Sequence, residues 1–321
     1  MTGMLRIPEG RGYPADYLRA RLRGRARHLI ADWERLLDAP DPASLLPPAP
    51  WRHRSAAWTD EGAWRGALLE FTWVHAQMEP RLRECFTPLF CWFELRTVIL
   101  VLRLREGGDH SRAAALLDES LLAPAVRRRL GGGEPAEAVA GLGVILSAEY
   151  GKFGRLAETF RREGRPGVEE DLVTLWLEGV ATKRLHPPLG EFFRRLIDLR
   201  NVVALAKGLR WRPASPPPFV GGGSLSPALL GEIAARGEPE ALLRLLERLG
   251  GGGVEEWAAA NPEPPLLGAL TKEIRRWGKE GSGIGPILDH LWRCCLEARN
   301  LGIIIRGRDL DREAIRRELV P

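Results

Sequence analysis

The 321-residue chain is poor in the residues that announce most enzyme chemistries. Its four cysteines, Cys85, Cys91, Cys294 and Cys295, show no CxxC spacing and have no histidine beside them in sequence, so no zinc site is expected. The six histidines, His28, His53, His75, His110, His186 and His290, are scattered and form no HxxxH or HExxH pair. No Gly-x-Ser-x-Gly elbow follows a strand pattern, and no segment shows sustained period-two alternation. Gly281-Ser282-Gly283-Ile284-Gly285 has no strand before it and no Gly-Lys-Ser/Thr ending. The run Gly250 to Gly253 is followed by Val254-Glu255-Glu256, whose acids would repel phosphate. Both read as loops, and neither a cofactor nor a metal is expected.

Long apolar runs are missing as well. None approaches the roughly 18 residues of a membrane helix, and Val98 to Leu102 is soon closed by Arg103 and Arg105. Met1 to Gly12 lacks the apolar stretch of a secretory signal, which points to the cytoplasm and to reduced thiols. The 47 Lys plus Arg exceed the 42 Asp plus Glu only slightly, and the excess is spread along the chain. Arg19, Arg21, Arg23, Arg25 and Arg27 recur at every second residue, which scatters charge around a helix instead of making a stripe. Together with the short cluster Arg127-Arg128-Arg129 they fit an acidic protein partner or an anionic surface better than nucleic acid.

What the chain does have is helical periodicity. Apolar residues at three- and four-residue spacing predict helices over Tyr17 to Leu37, Trp64 to His75, Leu89 to Leu104, Ala113 to Leu130, Glu169 to Ala181 and Gly190 to Gly208. The same spacing continues over Pro227 to Ala235, Pro239 to Leu249, Leu266 to Trp277, Ile287 to Arg306 and Arg312 to Leu319. Ser226-Pro227 supplies an N-cap followed by proline at the first helical position, and Gly208 and Gly250 suit helix ends. The acidic cluster Glu169-Glu170-Asp171 reads as a helix start favoured by the helix dipole. The fold class is therefore all-α.

One pattern occurs three times. Glu94-Leu95-Arg96-Thr97-Val98, Asp198-Leu199-Arg200-Asn201-Val202 and Glu297-Ala298-Arg299-Asn300-Leu301 each place an acid two before an arginine, then Asn or Thr and an aliphatic residue. A second base stands seven further on, at Arg103, Lys207 and Arg306. The copies lie about a hundred residues apart, beyond the roughly 20 to 50 residues of solenoid repeats, so each unit reads as a small domain. Breaks rich in glycine and proline, among them Gly107-Gly108 and Pro213 to Gly223, divide the chain into helical units 1–107, 108–210 and 211–321. Residues two apart on a helix point apart, so Asp198 and Arg200 must meet different partners. Residues seven apart share a face, which makes one face basic in each copy. Two roles are open for these positions: helix-packing contacts, or faces presented to a common partner on a pseudo-threefold axis. Cys91 and Cys294 both precede the repeat arginine by five residues, among bulky neighbours such as Trp92 and Trp292, and read as core packing.

The segments Phe192 to Val202 and Phe219 to Ser226, and above all Glu297-Ala298-Arg299-Asn300-Leu301-Gly302-Ile303-Ile304-Ile305-Arg306-Gly307-Arg308, resemble the C-type subunit of archaeal and bacterial V/A-type ATPases, whose counterpart in eukaryotic V-ATPases is the d-type subunit. The resemblance covers roughly residues 170 to 321, and Leu18 to Gly24 is similar to the family's opening helix. Thr97 departs from the Asn of the pattern, and Pro40 to Trp58 is rich in proline and tryptophan where the family continues helically. The resemblance implies a funnel of three similar helical domains on the cytoplasmic side of the membrane. It implies a non-catalytic central-stalk component, coupling shaft subunits of the D/F type to the membrane proteolipid ring and passing torque between them in proton or sodium transport. A free-standing helical scaffold with another soluble partner is the competing reading. A small-molecule enzyme is a third, and it requires a pocket that the sequence does not announce.

Overall fold

The computed structural model describes residues 3–52, 58–212, 217–250, 259–280 and 283–320. His53, the glycines of the Gly250 to Gly253 run after its first, Val254-Glu255-Glu256 and the Gly281-Ser282 step lie outside them. Among the described residues the chain is all-helical, with fourteen α-helices and no strand. They are α1 (Ala15–Ala26), α2 (Trp33–Asp38), α3 (Asp60–Gln77), α4 (Pro80–Glu106), α5 (His110–Glu119), α6 (Pro124–Gly131) and α7 (Pro135–Tyr150). There follow α8 (Leu156–Ala181), α9 (Pro187–Trp211), α10 (Pro227–Arg236), α11 (Pro239–Gly250), α12 (Glu263–Lys279), α13 (Gly285–Arg306) and α14 (Arg312–Glu318).

Several boundaries differ from the sequence expectation for local reasons. The single helix predicted over Tyr17 to Leu37 is split, because Asp32 accepts a hydrogen bond from the Arg35 N–H and caps a new helix, α2. Ala113 to Leu130 is split where Pro124 opens α6, proline being tolerated in a first turn but not in a helix interior. α4 starts well before Leu89 and runs through Pro88, one residue after Thr87, whose hydroxyl donates to the Arg83 carbonyl at 2.8 Å. α7 has no sequence forecast at all. Gly208 does not end α9; Arg212 does, in the left-handed conformation at φ 44°, with its N–H on the Gly208 carbonyl. Glu169-Glu170-Asp171 lies inside α8, past a kink at Gly164, and not at a helix start. Ser226 caps α10 through the Leu229 N–H, as the sequence indicates.

By compactness the described chain divides into two units. The first comprises Met1–Leu18 and Arg65–Lys183. In its core Phe71 stacks on Phe93 at 4.4 Å between ring centroids, and α7 packs along α8. α4 is long and apolar enough to cross a membrane by length and composition, yet 61% of its most apolar window is buried in this core. The N-terminal segment is laced onto this unit: the Arg6 N–H donates to the Leu121 carbonyl, Arg83 donates to the carbonyls of Met78, Pro8 and Gly10, and Tyr13 bridges to Gln77 and Glu79. Gly12, at φ 68°, is required there, since a Cβ would stand 2.0 Å from the Met78 carbonyl oxygen.

The second unit comprises Arg19–Trp64 and Arg184–Pro321. One cluster joins Val202 and Leu205 of α9 to Leu230 of α10, Leu242 and Leu246 of α11 and Leu266 of α12. Another joins Leu36 and Leu37 of α2 to Leu301 and Ile304 of α13 and Ile315 of α14, so residues from both ends of the chain share one core. Phe192 of α9 meets Trp292 of α13 edge to face at 5.4 Å. Burying such aromatics on facing helices contributes strongly to rigidity, and the Trp292 N–H is satisfied by the Thr271 hydroxyl at 2.9 Å.

Candidate functional site

The three copies of the pattern lie on α4, α9 and α13, and in each the acid is buried. Glu94 accepts the Leu121 N–H at 2.7 Å. Asp198 accepts three donors: the Ser224 N–H at 3.1 Å, the Ser224 hydroxyl at 2.6 Å and the Leu225 N–H at 3.0 Å. Glu297 accepts the Ile30 N–H at 2.8 Å, and Arg52 forks onto its other oxygen. A buried carboxylate is tolerable only when it is hydrogen-bonded, and here each acid accepts at least one backbone N–H of a non-helical segment that would otherwise be orphaned, with side-chain donors added at Asp198 and Glu297. Each acid therefore ties a connecting segment to the flank of its helix.

The residue three positions on completes the tie. Asn201 donates to the Val220 carbonyl at 2.8 Å and accepts the Val220 N–H at 2.8 Å. Asn300 makes the same two-point bond with Val320, at 2.7 and 3.2 Å. An amide side chain offers a donor and an acceptor side by side, so it can satisfy both groups of one residue as a neighbouring strand would. Thr97 has no such pair of groups, and in the first copy its hydroxyl hydrogen-bonds to Glu94. The acid and the Asn, spaced i and i+3, share a helix face. The sequence pattern stressed the arginine between them; the spacing of acid to Asn was the signal for this contact. Close approach is essential in the second copy, because a Cβ on Gly223 would stand 2.3 Å from the Asp198 carboxylate.

The arginines Arg96, Arg200 and Arg299 are half-buried. Arg299 donates to the Glu318 carbonyl at 2.7 Å and stands 3.6 Å from the Glu263 carboxylate, so it too fastens the C-terminal segment. The second bases are exposed and have different surroundings. Arg103 forks onto Glu169 at 2.9 and 2.5 Å, and Arg306 reaches Asp60 at 3.1 Å. Burial pushes the Glu169 carboxyl up, but the hydrogen bonds from Arg103 and Arg165 outweigh it and hold the group below its ordinary value. Lys207 is directed to solvent.

The first copy's acid is electrostatically displaced. Burial pushes Glu94 up to about 7, against the hydrogen bonds from Leu121 and Thr97 and the nearby Arg6. In the same unit His75, edge-on to Phe90 at 5.0 Å, is driven down to about 4 by burial and by Arg83 and Arg6. The crevice beside Asp198, lined by Arg195, Leu199, Leu270 and Glu273, encloses about 50 Å³, and that beside Glu297 about 20 Å³. Volumes of that order hold a water or two, whereas small-molecule sites enclose roughly 300 Å³ or more. Cys91 and Cys294 are buried in helix interiors, and no group of three His, Cys, Asp or Glu among the described residues is placed to hold a metal.

Residues 69–318, which include all three helices, match the sequence model of a family described as ATP synthase (C/AC39) subunit. The chain belongs to this family. Its members are the C/d-type subunits of V/A-type ATPases, in agreement with the likeness carried by Glu297 to Arg308. A search of curated proteins finds no match to the chain.

Proposed function

We propose that this C/AC39-family chain is the non-catalytic rotor-coupling subunit of a V/A-type ion-translocating ATPase. It links the central shaft to the membrane proteolipid ring and passes torque between them from the cytoplasmic side, as a peripheral member of the complex. The observation that carries the reading is the family match across residues 69–318. The physical character of the chain supports it. A coupling needs bodies that do not shear, and α4, α9 and α13 each pin a connecting segment through a buried acid, two of them also through a buried Asn. Three similar units, 1–107, 108–210 and 211–321, arranged with pseudo-threefold character as a funnel, belong to this proposal. So does a contribution of Arg96, Arg200 and Arg299 to gripping the shaft.

The test is affinity purification of the tagged chain from gently solubilised membranes of its own host, with the co-purifying proteins identified by mass spectrometry. Catalytic-head, shaft and ring subunits are expected together; recovery of unrelated soluble proteins alone, with the ATPase present in the input, overturns the reading. Reversing the charge at two of Arg96, Arg200 and Arg299 tests the grip. A folded double variant with full shaft binding removes that part of the proposal.

A further inference from the structure

The three repeat helices end in different electrostatic surroundings. At the end of α4, Arg103 is held by Glu169, while Arg105 turns inward to the carbonyls of Leu130 and Gly133. At the end of α13, Arg306 is held by Asp60, and Arg308 lies over the Trp58 ring at 5.1 Å. Acids stand at or just past both helix ends, at Glu106 and Asp109 and at Asp309 and Asp311. α9 is the exception. From Leu199 to Gly231 the chain has four bases, Arg200, Lys207, Arg210 and Arg212, and no acid. Lys207, Arg210 and Arg212 are exposed, and between them Trp211 is 67% exposed, more than any other aromatic among the described residues.

Lys207, Arg210 and Trp211 stand at i, i+3 and i+4, so they share one face of the last turn. Bases here do suit the negative end of a helix. That explanation applies equally to α4 and α13, whose bases are nevertheless taken up by the protein, and it gives no reason for an exposed tryptophan. We propose that this tip is a contact with a negatively charged lipid surface. The chemistry favours lipid over protein on scale: a stable protein interface covers roughly 800 Å² on each partner around an apolar core, whereas one turn with a single large apolar side chain cannot form such a core. A lipid surface asks only for diffuse positive charge and an amphipathic ring, and tryptophan at the headgroup level supplies the latter. The inference rests on the coupling reading for the nearness of a membrane, and not for the tip's chemistry.

The purified full chain, without any other subunit, is sedimented with phosphatidylcholine vesicles that contain either no anionic lipid or one-quarter phosphatidylglycerol. Binding to the anionic vesicles is expected, weakened by salt, while neutral vesicles are left unbound. Each base removed should lower the partition about fivefold, so the combined Lys207→Gln, Arg210→Gln and Arg212→Gly variant loses on the order of a hundredfold. Trp211→Ala should weaken binding while retaining the anionic preference. All four side chains are exposed, and glycine suits the left-handed Arg212 position, so circular dichroism should show each variant folded. Equal partition on both vesicles, or unchanged binding by the triple variant, overturns the proposal. So does a result in which vesicles are ignored and the tip variants instead lose a co-purifying subunit, which makes the tip a protein contact. Failure to recover ATPase subunits from membranes would remove the coupling reading without touching the vesicle result.

Discussion

Glu94 and Asp198 hold the same place in the pattern, one in each compact unit, and their surroundings are unlike. Asp198 faces three donors at the start of the Ser224 to Leu225 connection; Glu94 has one backbone N–H, the Thr97 hydroxyl and complete burial. A shared helix position thus gathers three donors in one unit, while in the other it holds a carboxyl that burial pushes up to about 7. The number of donors sets how well a buried carboxyl is compensated for lost hydration.

The strongest way to break the comparison is Asp198→Ala. It strands three donors, two of them backbone N–H groups, of which that of Leu225 is buried, and should cost on the order of 3 to 5 kcal/mol in urea unfolding. Glu94→Ala strands one backbone donor and should cost distinctly less. Equal losses at the two sites would show that the donor count does not govern these contacts.

Asn201→Leu and Asn300→Leu are next. Each leaves the two backbone groups of a buried valine unanswered, and the expected loss is about 2 to 3 kcal/mol. In the first copy Thr97 has no amide, so Thr97→Val should cost less, about 1 kcal/mol. A Thr97→Val loss as large as either Asn substitution would mean that threonine performs the same two-point tie.

How far the sequence announced this arrangement can be seen residue by residue. The apolar periodicity located most helices, and the triplicated pattern marked the three helices on which the buried acids lie. The joint role of acid and Asn was hidden because most of the groups they bind are backbone N–H and C=O, and backbone has no sequence signature. Arg52 and Ile30 reach Glu297 from more than two hundred residues away in the chain, which no local spacing encodes. α7 escaped notice because its Ala- and Gly-rich run shows little polar contrast between faces. The helix breaks at Asp32 and Pro124 are, in retrospect, ordinary cap and proline signals masked by continuous apolar spacing.

The pH dependence separates the units more finely. Glu94, raised from 4.5 to about 7, keeps its proton in the fold after the unfolded chain has lost it; its stabilisation is full below about 4.5 and is lost as pH rises to about 7. His75, lowered from 6.5 to about 4, works in the opposite direction: between about 4 and 6.5 the unfolded chain binds a proton that the fold refuses, so stability rises with pH. Each shift corresponds to at most about 3 kcal/mol, and over the shared window the two slopes nearly cancel. Glu94→Gln keeps an acceptor for Leu121 and should unmask the rise, while His75→Phe should unmask the fall, both read from urea midpoints between pH 4.5 and 6.5. Parallel slopes in the two variants would refute the opposing assignments.

The smallest effect is expected at the exposed bases. Arg103→Gln removes a bidentate pair with Glu169, yet the guanidinium is about half exposed and Arg165 still reaches the same carboxylate. Side-chain ordering and solvent screening offset most of the Coulomb gain in such a pair, so the loss should stay within about 1 kcal/mol and shrink further in salt. Lys207→Gln, with no acid to release, should leave unfolding unchanged. If both substitutions are neutral for folding while only the second alters binding to anionic vesicles, the end of α9 differs from that of α4 in what it binds and not in what it stabilises.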